Sequence, residues 1–206
     1  MNMENVIREL RKMFSEFNIK YFDGELKEPM IVVQTHGQKR STLGWCSVHQ
    51  IWSGEKEDEK EYEITICAEY LDRTFYEICG TLQHEMVHLY NIYNNIKDVN
   101  ANGKTHNIKF KEQAEKRGLH IEKADKIGWS VTTLTNEMRN FVDSLDIDKS
   151  VFSWKRTVVV APKKTKNPSE KHKYVCPECN SRFESKKKIN AMCEDCNIAF
   201  EEEGKV

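Results

Sequence analysis

The stretch TFYEICGTLQHEMVHLYNIY, residues 74–93, decides how the rest of the chain is read. Its apolar side chains Phe75, Ile78, Cys79, Leu82, Met86, Leu89, Tyr90 and Tyr93 recur at intervals of three and four, the period of an amphipathic helix. Inside the run, His84, Glu85 and His88 form an H-E-x-x-H pattern. Residues four apart lie one turn above each other on one helix face, so both imidazoles can reach a single ion. Glu85, one step after the first ligand, can aim a carboxylate at a water on that ion. Zinc brings the pKa of such a water towards about 7, and the carboxylate then takes its proton as the water attacks a carbonyl.

A catalytic zinc site usually has three protein ligands and one open position. The short H-E-x-x-H-x-x-G-x-x-H extension is excluded, because Asn91 and Asn94 stand where its Gly and third His belong. Beyond the helix, an Asn- and Gly-rich loop from Asn94 to Lys104 lets the chain turn back, and Ile108 to Arg117 reads as a short helix stopped by Gly118. His106 sits at the start of that helix, close to the turn. Glu112 and Glu115 are its rivals as third ligand.

Upstream, Val6, Ile7, Leu10, Met13, Phe14, Phe17 and Tyr21 predict an amphipathic helix over 4–22, ended by Asp23-Gly24. Strands are expected at Met30–Gln34, Leu43–Trp52 and Tyr62–Cys67, with the charged run Glu55–Lys60 as a solvated hairpin loop. Downstream, Asn136 to Leu145 reads as one more helix. Trp45, Trp52, Trp129 and Trp154 are expected in the core rather than along a cleft.

The chain ends differently. Cys176, Cys179, Cys193 and Cys196 form two Cys-x-x-Cys pairs thirteen residues apart. Each pair sets two thiolates on one side of a tight turn, and two pairs complete a tetrahedral four-sulfur shell with no position left for water. A segment of about 30 residues buries too little surface to fold alone, so the ion supplies the missing free energy. Tyr174, Phe183 and Phe200 are its candidate core. Cys46, Cys67 and Cys79 read as small buried hydrophobes.

The formal net charge of -1 conceals two unlike parts. Residues 1–150 hold 20 Lys and Arg against 25 Asp and Glu, whereas 151–206 hold 12 against 8. Lys163, Lys164 and Lys166 precede the cysteines, and Arg182, Lys186, Lys187 and Lys188 lie between the two pairs. Such clustering suits contact with phosphates, without base readout. No apolar run approaches the roughly 18–20 residues that span a bilayer, so neither membrane anchor nor secretory signal is expected, and the location expected is cytoplasmic.

Tyr21-Phe22-Asp23-Gly24-Glu25-Leu26 with Pro29, then His84-Glu85-Met86-Val87-His88, then Gly103-Lys104-Thr105-His106-Asn107-Ile108-Lys109-Phe110, resemble the SprT-like (Spartan-like) metalloprotease family. The terminal cysteines are similar to the zinc ribbon that closes its bacterial members. The resemblance implies an α+β fold: a small zincin-like metalloprotease domain over 1–150, a basic linker over 151–173, and a four-cysteine zinc ribbon over 174–206. It implies His84, His88 and His106 as zinc ligands and Glu85 as general acid and base, hence two zinc ions per chain with the ribbon. Eukaryotic relatives cleave proteins crosslinked to DNA, so the expected partners are a protein or peptide substrate and DNA. The competing expectation is a non-proteolytic, zinc-stabilised adaptor for nucleic acid.

Overall fold

The computed structural model of the chain describes residues 2–35, 42–56, 58–101, 103, 105–125, 127–157 and 171–203. They fall into two compact units, Met1–Val158 and Val159–Val206. Among the described residues, no helix is long and apolar enough to cross a membrane.

The first unit mixes helix and sheet. Helix α1, Met3–Phe22, starts where the Asn2 side chain accepts from the Glu4 N–H and ends at Asp23, whose φ of 55° turns the chain out of the helix. Five strands follow: β1 Met30–Gln34, β2 Gly44–Cys46, β3 Trp52–Ser53, β4 Lys60–Glu61 and β5 Glu63–Cys67. Strand β5 is buried along its whole length and lies between β1, which is parallel to it, and β2, which is antiparallel. Strands β3 and β4 pair as a separate hairpin. Helix α2, Phe75–Tyr93, is fixed at its start by reciprocal bonds between Thr74 and Glu77. Its residues Ile78, Leu82, Met86 and Leu89 join Leu10, Phe14 and Phe17 of α1 and Ile64 and Ile66 of β5 in one core. Each such side chain, fully buried, contributes roughly 1.5–3 kcal/mol relative to exposure.

Helix α3, Ile108–Glu115, then leads into a hairpin of β6, Leu119–Ala124, and β7, Gly128–Leu134, and the chain continues into α4, Asn136–Ser144. The strand expected over 43–52 is broken into β2 and β3. Val48 and Ile51 are exposed, so the intervening residues bury no apolar face, and the Ser47 hydroxyl turns onto the His49 carbonyl instead. Two of the four tryptophans also depart from expectation, whereas Trp129 packs half-buried against the core. Trp52 is 42% and Trp154 60% exposed, and the Trp52 indole N–H donates inward to the buried Glu63 carboxylate.

The packed part of the first unit continues past residue 150. Val151 and Phe152 are buried, the Phe152 ring meets Phe75 at 5.8 Å, and the Arg156 N–H donates to the Ala68 carbonyl. Glu9, 1% exposed, ties α1 to this segment by accepting from the Asp148 N–H at 3.2 Å and pairing with Arg8 and Lys12. Burial alone would raise its pKa, but the Asp148, Arg8 and Lys12 contacts hold it below the usual carboxylate value. A depressed native pKa stabilises above the unfolded value and is lost as pH falls through the native one. Glu9→Gln is therefore expected to cost roughly 1–3 kcal/mol at pH 7 and progressively less below pH 4.5. Thermal unfolding of both proteins across pH 3–8 checks this.

The second unit contains β8 His172–Val175, β9 Arg182–Ser185, β10 Met192–Cys193, β11 Ile198–Ala199 and β12 Glu201–Glu202. They form a β12-β8-β9 sheet and a β10-β11 pair. Tyr174 stacks on Phe183 at 4.9 Å and Phe183 meets Phe200 edge-on, the small core expected from sequence.

Candidate metal centres

His84 and His88 project from one face of α2, four residues apart. His106 reaches them from the loop before α3, and the three side chains offer ring nitrogens that lie within 4.8 Å of one another. The position of His106 is set by two isolated bridges, to Val99 on one side and to Gly128 on the other. Asn107 holds the loop from within. Its side-chain oxygen accepts from the Lys109 and Phe110 N–H groups to cap α3, and its amide donates to the Lys97 and Val99 carbonyls. Phe110, fully buried, packs beneath all three imidazoles at 4.4–4.6 Å between ring centroids. Neither Glu112 nor Glu115 joins the group; Glu115 pairs with Lys111.

The outer ring nitrogens reveal the tautomers. His106 Nδ1 meets Ser130 Oγ at 2.6 Å, and that hydroxyl already donates to the Ile127 carbonyl. His84 Nδ1 meets Thr132 Oγ1 at 2.9 Å, and that hydroxyl donates to the Ser130 carbonyl. His88 Nδ1 meets Asp98 Oδ2 at 2.7 Å, which also accepts from Asn91. Each Nδ1 is thus the donor, and each Nε2 carries a lone pair. His88 Nε2 and His106 Nε2 face each other at 3.0 Å. Two lone pairs at that distance repel unless a cation sits between them, and three neutral imidazoles with braced Nδ1–H groups are a donor set that suits zinc.

Two of the three protonation preferences agree, and His88, paired with Asp98, runs the other way. Burial, then the neighbouring imidazoles, hold His84 well below its ordinary value, and burial with the His88 charge brings His106 down to about 4. Burial also pushes His88 down, but the Asp98 hydrogen bond and the Glu85 and Asp98 charges raise it overall. Glu85, 6% exposed, is pushed up to about 7 by burial, against the lowering effects of His88 and of the Cys46 N–H that it accepts.

Gly44 keeps this corner narrow. A Cβ there would stand 2.7 Å from the Thr65 carbonyl oxygen and 2.9 Å from Thr81 Cγ2, so β2 can lie this close to β5 and α2 only with glycine. A cleft of about 520 Å³ opens over His84, Glu85 and His106, lined also by Leu43, Gly44, Arg73 and Thr81.

In the second unit the sulfurs of Cys176, Cys179, Cys193 and Cys196 lie within 4.8 Å of one another, and none is in a disulfide. Asn180 and Asn197, each directly after a Cys-x-x-Cys pair, have φ of 58° and 51° and close the two turns. The basic residues here are partly self-neutralised: Arg182 pairs with Glu203, Lys188 with Glu202, and Lys171 with Glu184. Lys163, Lys164 and Lys166 lie outside the described residues. Lys186 and Lys187 follow β9 directly.

Sequence reasoning missed Asp98, Ser130 and Thr132. The signal for the last two was available in the β-branched run Val131-Thr132-Thr133 after Gly128, which marks a strand. The model of the family described as SprT-like matches residues 10–127, which include both histidines of α2, Glu85 and His106. No curated protein and no solved structure matches the chain.

Proposed function

The chain belongs to the SprT-like family, and from that premise we propose that it is a zinc-dependent endopeptidase with a zincin-like first unit. In this reading His84, His88 and His106 hold the catalytic zinc through Nε2, and Cys176, Cys179, Cys193 and Cys196 hold a structural one. Zinc, when bound, supplies Lewis acidity that acidifies a water and polarises the scissile carbonyl. Glu85 takes the proton of the attacking water on its carboxylate and delivers it to the leaving amine, a role suited to a carboxyl poised near neutrality. Asp98, Ser130 and Thr132 hold the three imidazoles in the tautomer that leaves Nε2 free.

Strand β2 supports a peptide substrate. The N–H of Ser47 donates to the Glu63 carbonyl and that of Cys67 to the Leu43 carbonyl. Trp45 lies opposite Thr65, between those bonded positions. By alternation, the backbone groups of Gly44 and Cys46 turn the other way, towards the cleft and Glu85. An extended peptide laid along that edge gains main-chain hydrogen bonds beside the proposed base.

The observation that carries the proposal is Glu85 itself. A carboxyl buried beside three convergent imidazoles costs free energy that a purely structural zinc site, and hence the adaptor reading, has no need to bear. Proteins held on DNA belong to the same proposal as its substrate class, supported by Lys186 and Lys187 and by the basic run before the ribbon. The test is metal analysis with a digestion assay. About two zinc ions per chain and chelator-sensitive cleavage of an unfolded protein are expected. One zinc per chain, or no cleavage with or without single-stranded DNA, would overturn the reading.

A further inference from the structure

Arg73 stands in the same cleft as Glu85, one residue before the cap of α2, and the zinc chemistry makes no use of it. Its guanidinium is half-buried and held from two sides. Nε donates to the Tyr70 carbonyl at 3.1 Å, and Nη2 donates to Thr81 Oγ1 at 2.9 Å. The Thr81 hydroxyl is itself oriented, because it donates to the Glu77 carbonyl. A guanidinium carries five N–H donors, so these two bonds leave three for other partners, on a residue that lines the cleft. Burial works against its charge, and the nearby acids only partly offset this. Those acids are engaged elsewhere: Asp72 pairs with Lys155, and Glu77 accepts from Thr74. Among the described residues, Arg73 forms no ion pair within 4.0 Å.

A fixed, part-desolvated guanidinium with open donors and no carboxylate of its own is a receptor for one. Thr81, to which it is anchored, lies one turn before Glu85, about 6 Å along the helix. An extended peptide advances roughly 3.3 Å per residue, so side chains within about two residues of the bond above Glu85 come into its range.

We infer that Arg73 is a specificity-determining residue that binds a carboxylate of the peptide substrate, close to the bond that is cut. The inference rests on the peptidase reading above. The carboxylate can come from an acidic side chain or from a free chain end, and the experiment separates the two sources.

Quenched fluorescent peptides are made in pairs with Glu or Gln at the two positions on each side of the bond, each with an amidated and a free C-terminus. The zinc-loaded full chain is expected to cleave amidated Glu peptides with kcat/KM about 10- to 100-fold above their Gln twins, the value of one charge-assisted bidentate contact. A preference only for free C-termini would instead assign Arg73 to the chain end. In Arg73→Gln the Glu-to-Gln ratio should fall to near one, and Arg73→Glu should favour Lys over Glu at the same position. If Arg73→Gln lowers both members of each pair by one factor, Arg73 is only a brace between Tyr70 and α2, and the inference fails. A wild-type protein that cleaves without acidic preference also sinks it, with the peptidase reading intact. A wild type that cleaves nothing sinks the peptidase reading itself.

Discussion

Glu85→Gln should retain about two zinc ions per chain while losing about 10²–10⁴-fold in kcat, the usual contribution of a positioned general base. The amide matches the carboxylate in shape and can still accept from the Cys46 N–H, so the cleft is preserved and only the proton relay is lost. A parental rate in this variant would remove Glu85 from the mechanism. The parent's pH profile carries a matching signature. Burial lifts the Glu85 carboxyl to about 7, and a cation held by the three imidazoles pulls it down again, so the acid limb of kcat/KM should lie at or below pH 7. Stability moves the opposite way. A carboxyl whose native pKa is raised stabilises fully only below its unfolded value of 4.5, and that contribution is lost as pH rises through about 7. In the metal-free protein at pH 8, Glu85→Gln should therefore be the more stable form, by on the order of 3 kcal/mol. Gain of stability with loss of rate is the behaviour of a group kept for chemistry.

The half of this centre that lies on α2 was legible because its geometry is local: i, i+4 spacing on a helix is the same in any chain. His106 was harder, since a loop that turns back is permitted by Asn and Gly but not aimed by them. What aims it is the β6–β7 hairpin, through Gly128 and Ser130, while Thr132 of the same strand braces His84. That hairpin escaped the sequence reading. Leu119 and Ile121 alternate as a strand should, but the register shifts between Glu122 and Lys123, and in β7 the residues that face the histidines are the polar Ser130 and Thr132 while the apolar Val131 is exposed. The same limit explains Asp98 and Arg73. Each is an ordinary polar residue in a loop until the fold sets it beside His88 or Thr81. The ribbon was legible in full for the converse reason. Its ligands, turns and three-ring core all fall within Tyr174–Phe200, so nothing distant had to be inferred.

Gly128→Ala should empty the first centre while leaving the ribbon filled. Gly128 has a φ of 73°, and a Cβ built there would fall 2.4 Å from the His106 carbonyl oxygen and 2.7 Å from Thr105 Cγ2. Backbone cannot swing aside as a side-chain tip can, so the bridge between Gly128 and His106 must open and His106 must move. A ligand displaced by even an ångström loses its bond to zinc at about 2.0–2.1 Å, and zinc affinity at this centre is expected to fall at least about 100-fold. Metal content under limiting zinc should then drop from about two per chain to about one, with cleavage lost in parallel. Gly24→Ala separates this effect from backbone strain. Gly24 shares the φ of 73°, yet nothing lies within 4 Å of its would-be Cβ. It should therefore lose only about 1–2 kcal/mol of stability and keep both metals. Equal metal loss in the two variants would mean that left-handed strain, and not the contact with His106, decides the site. Parental zinc affinity in Gly128→Ala would mean that His106 is held by something other than the β6–β7 hairpin.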